Sequence, residues 1–201
     1  MHVILDYGMG NTASVEKAVR LAGFDVITSQ DRKLLEQAET IIVPGVGTYQ
    51  DAMSRLHTLD LIPLLRELIL VQKKRYLGIC LGMQILSDIG LEVNQTKGLG
   101  FIPGEVTSIP NLGQKIPHMG WNDVEPCSPN VIGKLSDTNF YFMHSFYFNT
   151  DLRFVTSTVL YGIPLTATVE HENIFGAQFH PEKSQVNGLI YLQHVLQRKS
   201  L

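Results

Sequence analysis

Cysteine is nearly absent from this chain: Cys80 and Cys127 are the only two in 201 residues. A single pair excludes a disulfide-stapled scaffold. With no Cys-x-x-Cys, no His-Glu-x-x-His and no Asp-rich calcium loop, the common metal motifs are missing too. The zinc deaminase order also fails, because Pro126-Cys127 precedes His180 and lacks a second Cys. Charge is scarce, at 17% of residues against a usual share of roughly 25%. Sixteen Lys and Arg against 19 Asp and Glu leave a net charge of −3, which argues against a surface that neutralises many phosphates. No apolar run is long enough for a bilayer. Leu61 to Val71 is broken by Pro63, Arg66 and Glu67, where about 20 apolar residues would be needed. The opening Met-His-Val-Ile-Leu-Asp has neither a basic region nor a small-residue cleavage site. The expectation is therefore a cytoplasmic protein with reduced thiols, without nucleic-acid or membrane partners. Walker A sequences, internal repeats and low-complexity tracts are absent. What is present is a 44% hydrophobic share, enough for a sizeable core.

The first half alternates strand-like and helix-like segments. His2 to Tyr7, Asp25 to Thr28, Thr40 to Val43 and Tyr76 to Ile79 read as strands. Between them, Val15, Ala18, Val19 and Ala22 mark a helix with Asn11 as N-cap and Gly23 as its end. Helical spacing returns from Tyr49 to Val71, interrupted at Pro63, and again from Leu81 to Ile89, closed by Gly90. Alternation of this kind predicts right-handed βαβ units and a parallel sheet. After about Lys97 short β-rich runs take over: 104–109, 115–124, 140–148, 154–159, 165–170 and 174–178. A last helix is predicted over Ser184 to Gln197. The fold class is α/β: an open, mostly parallel sheet flanked by helices, with an added antiparallel or mixed β layer in the second half. No linker divides the chain, so residues 1–201 are expected to form one domain.

Gly78-Ile79-Cys80-Leu81-Gly82 is the sharpest local signal. It sets a Cys between a strand and a helix with Gly two before and two after, the sulfur form of the G-x-S-x-G nucleophile elbow. A tight turn lifts the side chain out of the sheet, and glycines remove the Cβ atoms that would clash. The new helix N-terminus favours the thiolate, and the Leu81 N–H is placed to donate to an oxyanion. A buried core Cys would need neither glycine. Acyl transfer also needs a base and an orienting group. His180-Pro181-Glu182 follows the apolar strand 174–179, where an α/β sheet carries site residues. Cys80, His180 and Glu182 then make a triad in the order nucleophile, base, orienter. His144 is the rival base, and His118 and His171 are further alternatives. Pro44-Gly45-Val46-Gly47 follows another strand and could supply a second oxyanion N–H; it is equally the composition of an ordinary βα turn. Gly8-Met9-Gly10-Asn11-Thr12-Ala13, with Asp31 beyond it, fits a loose dinucleotide fingerprint. No nicotinamide partner accompanies it.

Gly78-Ile-Cys-Leu-Gly-Met-Gln84 with His180-Pro-Glu182 resembles the class I, or triad, glutamine amidotransferases. Six further blocks narrow the resemblance: 6–11, 44–47, 98–104, 117–122, 141–145 and 179–184. These look like the glutaminase subunits of imidazole glycerol phosphate synthase, and they run in order across nearly the whole chain. The segment Ser87 to Glu92 departs from the family form, being shorter and less acidic.

The resemblance implies that Cys80 attacks the glutamine side-chain amide, that His180 moves the protons and that Glu182 orients His180. It implies substrate or oxyanion contacts at Gly45, Val46, Gly47, Leu81, Gln84, Ser145 and Phe146, and no metal or organic cofactor. It further implies a heterodimer with a (β/α)8 cyclase subunit that receives the ammonia in histidine biosynthesis, faced by Asn11, Trp121, Tyr141 and Lys183. A paralogue feeding ammonia to a sugar-modifying synthase of cell-surface polysaccharide assembly would carry the same motifs. A binding module with a disabled elbow is a third reading, opposed by the intact triad.

Overall fold

The structure, a computed structural model, describes residues 1–197. The first half runs β1 (His2–Leu5), α1 (Thr12–Leu21), β2 (Val26–Ser29), α2 (Arg32–Gln37), β3 (Thr40–Gly45), α3 (Tyr49–Thr58), α4 (Leu61–Arg66), β4 (Arg75–Cys80) and α5 (Leu81–Gln84). A π-helical turn, Glu67–Val71, prolongs α4. As predicted, Asn11 caps α1 by accepting from the Ser14 N–H at 3.1 Å, and Val15, Ala18 and Val19 are its buried face. The break in the long helical stretch falls at Asp60, at φ 51°, and not at Pro63. Pro63 sits in the first turn of α4, where a missing N–H costs nothing.

The second half runs β5 (Ile89–Gly90), β6 (Thr96–Lys97), β7 (Gly104–Ser108), β8 (His118–Pro126), β9 (Asn139–His144), β10 (Phe146–Thr150), β11 (Val155–Tyr161), β12 (Ile163–His171), β13 (Ile174–Ala177) and α6 (Gln185–Gln197). Nine strands form one sheet in the order β2-β1-β3-β4-β13-β12-β11-β8-β9. Its β2-β1-β3-β4-β13 half is parallel, and the remainder is antiparallel. The predicted β extension thus continues the parallel sheet, and a separate small sheet, β10-β7-β5-β6, packs beside it.

β1, β3, β4 and β13 are buried along their whole length, as strands covered on both faces must be. Val3, Leu5, Ile41 and Val43 point to a cluster with Leu56, Leu65 and Leu68. Ile4, Ile42, Leu77 and Ile79 point the other way, to Val15, Val19 and Leu192. Two predicted elements differ in the structure, one cut short and one divided. Helix α5 stops at Gln84, because Leu86 and Ser87 bond back to Met83 and Gln84 and tighten the chain into a turn. Gly90 then joins β5 in place of capping a helix. The run 140–148 is two strands, parted at Ser145, which belong to different sheets.

Candidate active site

The carboxyl ends of β3, β4 and β13 lie side by side, with Gly45 registered on Cys80 and Ala177 on Ile79. This edge of a parallel sheet is where α/β folds collect site residues. Cys80 ends β4 at φ 54°, ψ −110°, and Leu81 starts α5. A positive φ on a non-glycine residue is strained, on the order of 1–3 kcal/mol, and persists only when its surroundings fix it. Here they do: a Cβ on Gly78 would stand 2.4 Å from the Gly82 carbonyl oxygen, and one on Gly82 would stand 1.8 Å from that of Val43.

His180 follows β13, with its N–H on the Tyr141 carbonyl at 2.9 Å. Its Nδ1 is 2.8 Å from Glu182 Oε1, and both side chains are buried. Cys80 acts on the ring from the other side, although the Sγ geometry falls short of a formed hydrogen bond and Nε2 is left without a partner. A loose contact of this kind is normal before substrate arrives. Burial alone would push the imidazole down. Cys80 and Glu182 outweigh it and raise His180 to about 10, so the ring carries a proton at neutral pH.

A cavity of about 240 Å³ opens over the thiol, lined by Val46, Gly47, Cys80, Leu81, Gln84, Glu92, Pro117, Met143, His144, Ser145 and Phe146. A larger groove of about 790 Å³ lies between α3 and residues 95–100 and contains none of the triad. Around the thiol the polar groups are interlocked. Gln84 Nε2 donates to the Phe146 carbonyl at 2.8 Å and to Gln178 Oε1 at 2.9 Å. Gln178 Nε2 donates to Cys80 Sγ at 3.6 Å.

His144 Nδ1 is 2.8 Å from the same Phe146 carbonyl, so it must carry hydrogen. His144 Nε2 then accepts from His118 Nδ1 at 3.0 Å, and His118 Nε2 from the Asn122 amide at 3.2 Å. Burial lowers His118 to about 4, and burial with the nearby rings lowers His144 to about 3.

The structure therefore brings most of the predicted residues together. Val46, Gly47, Leu81, Gln84, Ser145 and Phe146 share the cavity with Cys80. Gly45 stands behind the wall, where a Cβ would meet Leu81 at 2.8 Å and the Tyr7 hydroxyl at 2.9 Å. The rival bases His144 and His118 have both ring nitrogens engaged. His171 ends β12, paired with Ile174 at the end of β13 away from the site, and is edge-on to Phe154. Asp31 caps α2 through Lys33 and Leu34 and is not a free ribose ligand. Trp121 is 47% exposed and edge-on to Tyr141 at 6.1 Å, and Lys183 lies over the same ring at 5.4 Å. Asn11 is spent as a cap, at the start of a helix that packs against the 181–183 turn. Among the described residues no group of three or more His, Cys, Asp or Glu could hold a metal ion, and no helix is long and apolar enough to cross a membrane.

Sequence reasoning missed Glu92 and Gln178. Glu92 lies just past β5, and its carboxylate reaches the cavity and accepts from the Tyr49 N–H at 2.6 Å. Gln178 hides in an apolar strand run. Its signal is a polar side chain two residues before His180 with no exposure at all.

Residues 3–193 match the family model described as glutamine amidotransferase class-I. The chain belongs to the class-I glutamine amidotransferase family. This amidotransferase is 44% identical over 191 residues to imidazole glycerol phosphate synthase subunit HisH 2 of Vibrio vulnificus, covering 93% of this chain and 89% of that one. It is 42% identical over 199 residues to subunit HisH 1 of Campylobacter jejuni, covering 98% and 99%. Among solved structures it resembles a glutamine amidotransferase at TM-score 0.76 and 18% identity, covering 96% of this chain and 97% of that one. It also resembles PurLQS of Thermotoga maritima at TM-score 0.70 and 20% identity, covering 97% and 96%. These two likenesses bear on the fold.

Proposed function

We propose that this amidotransferase is the glutaminase subunit of imidazole glycerol phosphate synthase, hydrolysing glutamine and passing ammonia to a cyclase partner with a (β/α)8 barrel, in the cytoplasm. The observation that carries the chemistry is the thiol of Cys80 on a strained elbow, with the His180–Glu182 pair at its back and a small cavity at its front. The recipient is argued from relatives such as those of Vibrio and Campylobacter, which carry the synthase name. That shared name speaks against the polysaccharide paralogue.

The reaction follows from the residues. Glu92 is the one carboxylate lining the cavity, and it offers countercharge to the α-ammonium of glutamine. The Cys80 thiolate attacks the amide carbon, and the electron pair of the C=O bond moves to oxygen. The Leu81 N–H and an N–H of the 45–47 segment stabilise that oxyanion. Protonated His180 gives its proton to the amide nitrogen as the C–N bond breaks, releasing ammonia and leaving a glutamyl thioester. His180, now neutral, takes a proton from water. The hydroxide attacks the thioester, and glutamate leaves as the thiolate returns. Glu182 holds the ring in register and stabilises its charged form.

The test is Cys80→Ala, assayed with the cyclase subunit. Glutamate release should fall below detection while synthase activity on added ammonium persists. Continued glutamate release would remove Cys80 as nucleophile, and loss of both activities would point to a collapsed complex.

A further inference from the structure

Gln178 is wholly buried and spends both ends of its amide at the site. Its orientation is not free. The Gln84 nitrogen donates at once to the Phe146 carbonyl and to Gln178 Oε1, which leaves the Gln178 NH₂ as the end that meets sulfur. The Phe146 carbonyl is itself held in place by His144, so a Gln84 turned over would set its amide oxygen against the carbonyl oxygen, two acceptors with no hydrogen between them.

We infer that Gln178 is a further catalytic residue, whose side-chain N–H donates to the sulfur of Cys80 and stabilises its negative charge, with Gln84 as the positioning residue that sets the amide the right way round. The inference rests on the reading of Cys80 as a nucleophile. A donor to an ionised acceptor is a strong hydrogen bond, roughly twice a neutral one. It matters at this sulfur because Cys80 is 6% exposed, so water can do little to stabilise charge that develops there. The other groups facing the sulfur differ in kind. His180 supplies a full charge and a proton. The Met143 carbonyl, 3.9 Å away, can only accept. Tyr7 is tied to the Pro44 carbonyl through its hydroxyl. Gln178 is thus the neutral, fixed donor, and it does not change protonation state during turnover.

The test uses the whole chain and iodoacetamide, a small alkylating probe that reports thiolate reactivity without needing the glutamine contacts. Cys127 is exposed and serves as the reference thiol in the same tube, the two peptides being resolved by mass spectrometry. In Gln178→Leu the alkylation rate of Cys80 relative to Cys127 should drop about tenfold, the effect of one such bond. With the cyclase partner present, kcat should drop by a similar factor while the KM for glutamine stays within about threefold. Gln84→Leu should slow alkylation by about threefold, by releasing the amide. Gln178→Met, matched in length, carries the test if the Leu variant loses its cooperative melt. A Cys80 rate within twofold of wild type in a folded variant would reduce Gln178 to a packing residue and overturn the inference. If the wild-type complex releases no glutamate, the glutaminase reading falls, and the alkylation ratio still decides the role of Gln178.

Discussion

The imidazole of His180 has to hold a proton in a site that excludes water, and burial by itself would strip it. Glu182 is one of the two groups that prevent this. Glu182→Gln should therefore act in two ways. The turnover number should drop by about 10²-fold or more, in line with loss of the orienting carboxylate in other triads. The alkaline limb of the kcat/KM profile should also move to lower pH, because one of the partners that raise His180 toward 10 is gone. A profile with an unmoved alkaline limb would separate orientation from charge stabilisation. His118 and His144 show the opposite treatment. Stacked rings on His118, from Phe142 at 4.7 Å and Tyr161 at 4.0 Å, keep it neutral and fixed. The two histidines sit opposite each other on β8 and β9, which no spacing in the sequence announces.

At the level of elements, the elbow is a steric statement. Gly78, Gly82 and Gly45 occupy three places where strands and helix touch backbone to backbone. Gly82→Ala should destabilise the fold by about 2–3 kcal/mol, the usual result of forcing a methyl into full space, and lower Tm by about 4–10 °C. Thermal unfolding checks it, and an unchanged Tm would mean that α5 can shift freely off β3. This part of the site was legible beforehand, since Gly-x-Cys-x-Gly has few other uses. The parallel strands were legible too, from apolar runs between periodic segments. The end of α5 was not, because its stop comes from Ser87 turning back on the helix, with its hydroxyl on the Gln84 carbonyl at 2.8 Å, and not from a glycine. Nor was the division of 140–148, where a continuous β pattern hides a change of sheet at Ser145.

For the whole molecule, the question is how a partner would find the site. Trp121, Tyr141 and Lys183 meet on one side of the sheet, three positions brought from different segments. A half-exposed tryptophan ordered by a neighbouring ring suits a docking anchor. Trp121→Ala should weaken association with the cyclase subunit by about thirtyfold, a change of about 2 kcal/mol, measured by titration calorimetry. Glutaminase activity at saturating partner should be far less affected. Unchanged affinity would move the interface elsewhere. Glu92 shows the limit of motif reading at this scale: a residue outside every recognised motif still reaches the cavity, because β5 carries it there.

β4 lies between β3 and β13, and β13 is the last strand among the described residues. During synthesis the thiol emerges from the ribosome about a hundred residues before the imidazole that it works with. The same late strand joins the parallel half of the sheet to the antiparallel half, pairing β4 on one side and β12 on the other. A chain that stops short of residue 180 therefore has the thiol and lacks the imidazole assigned to it as base, so the proposed chemistry requires the last part of the polypeptide.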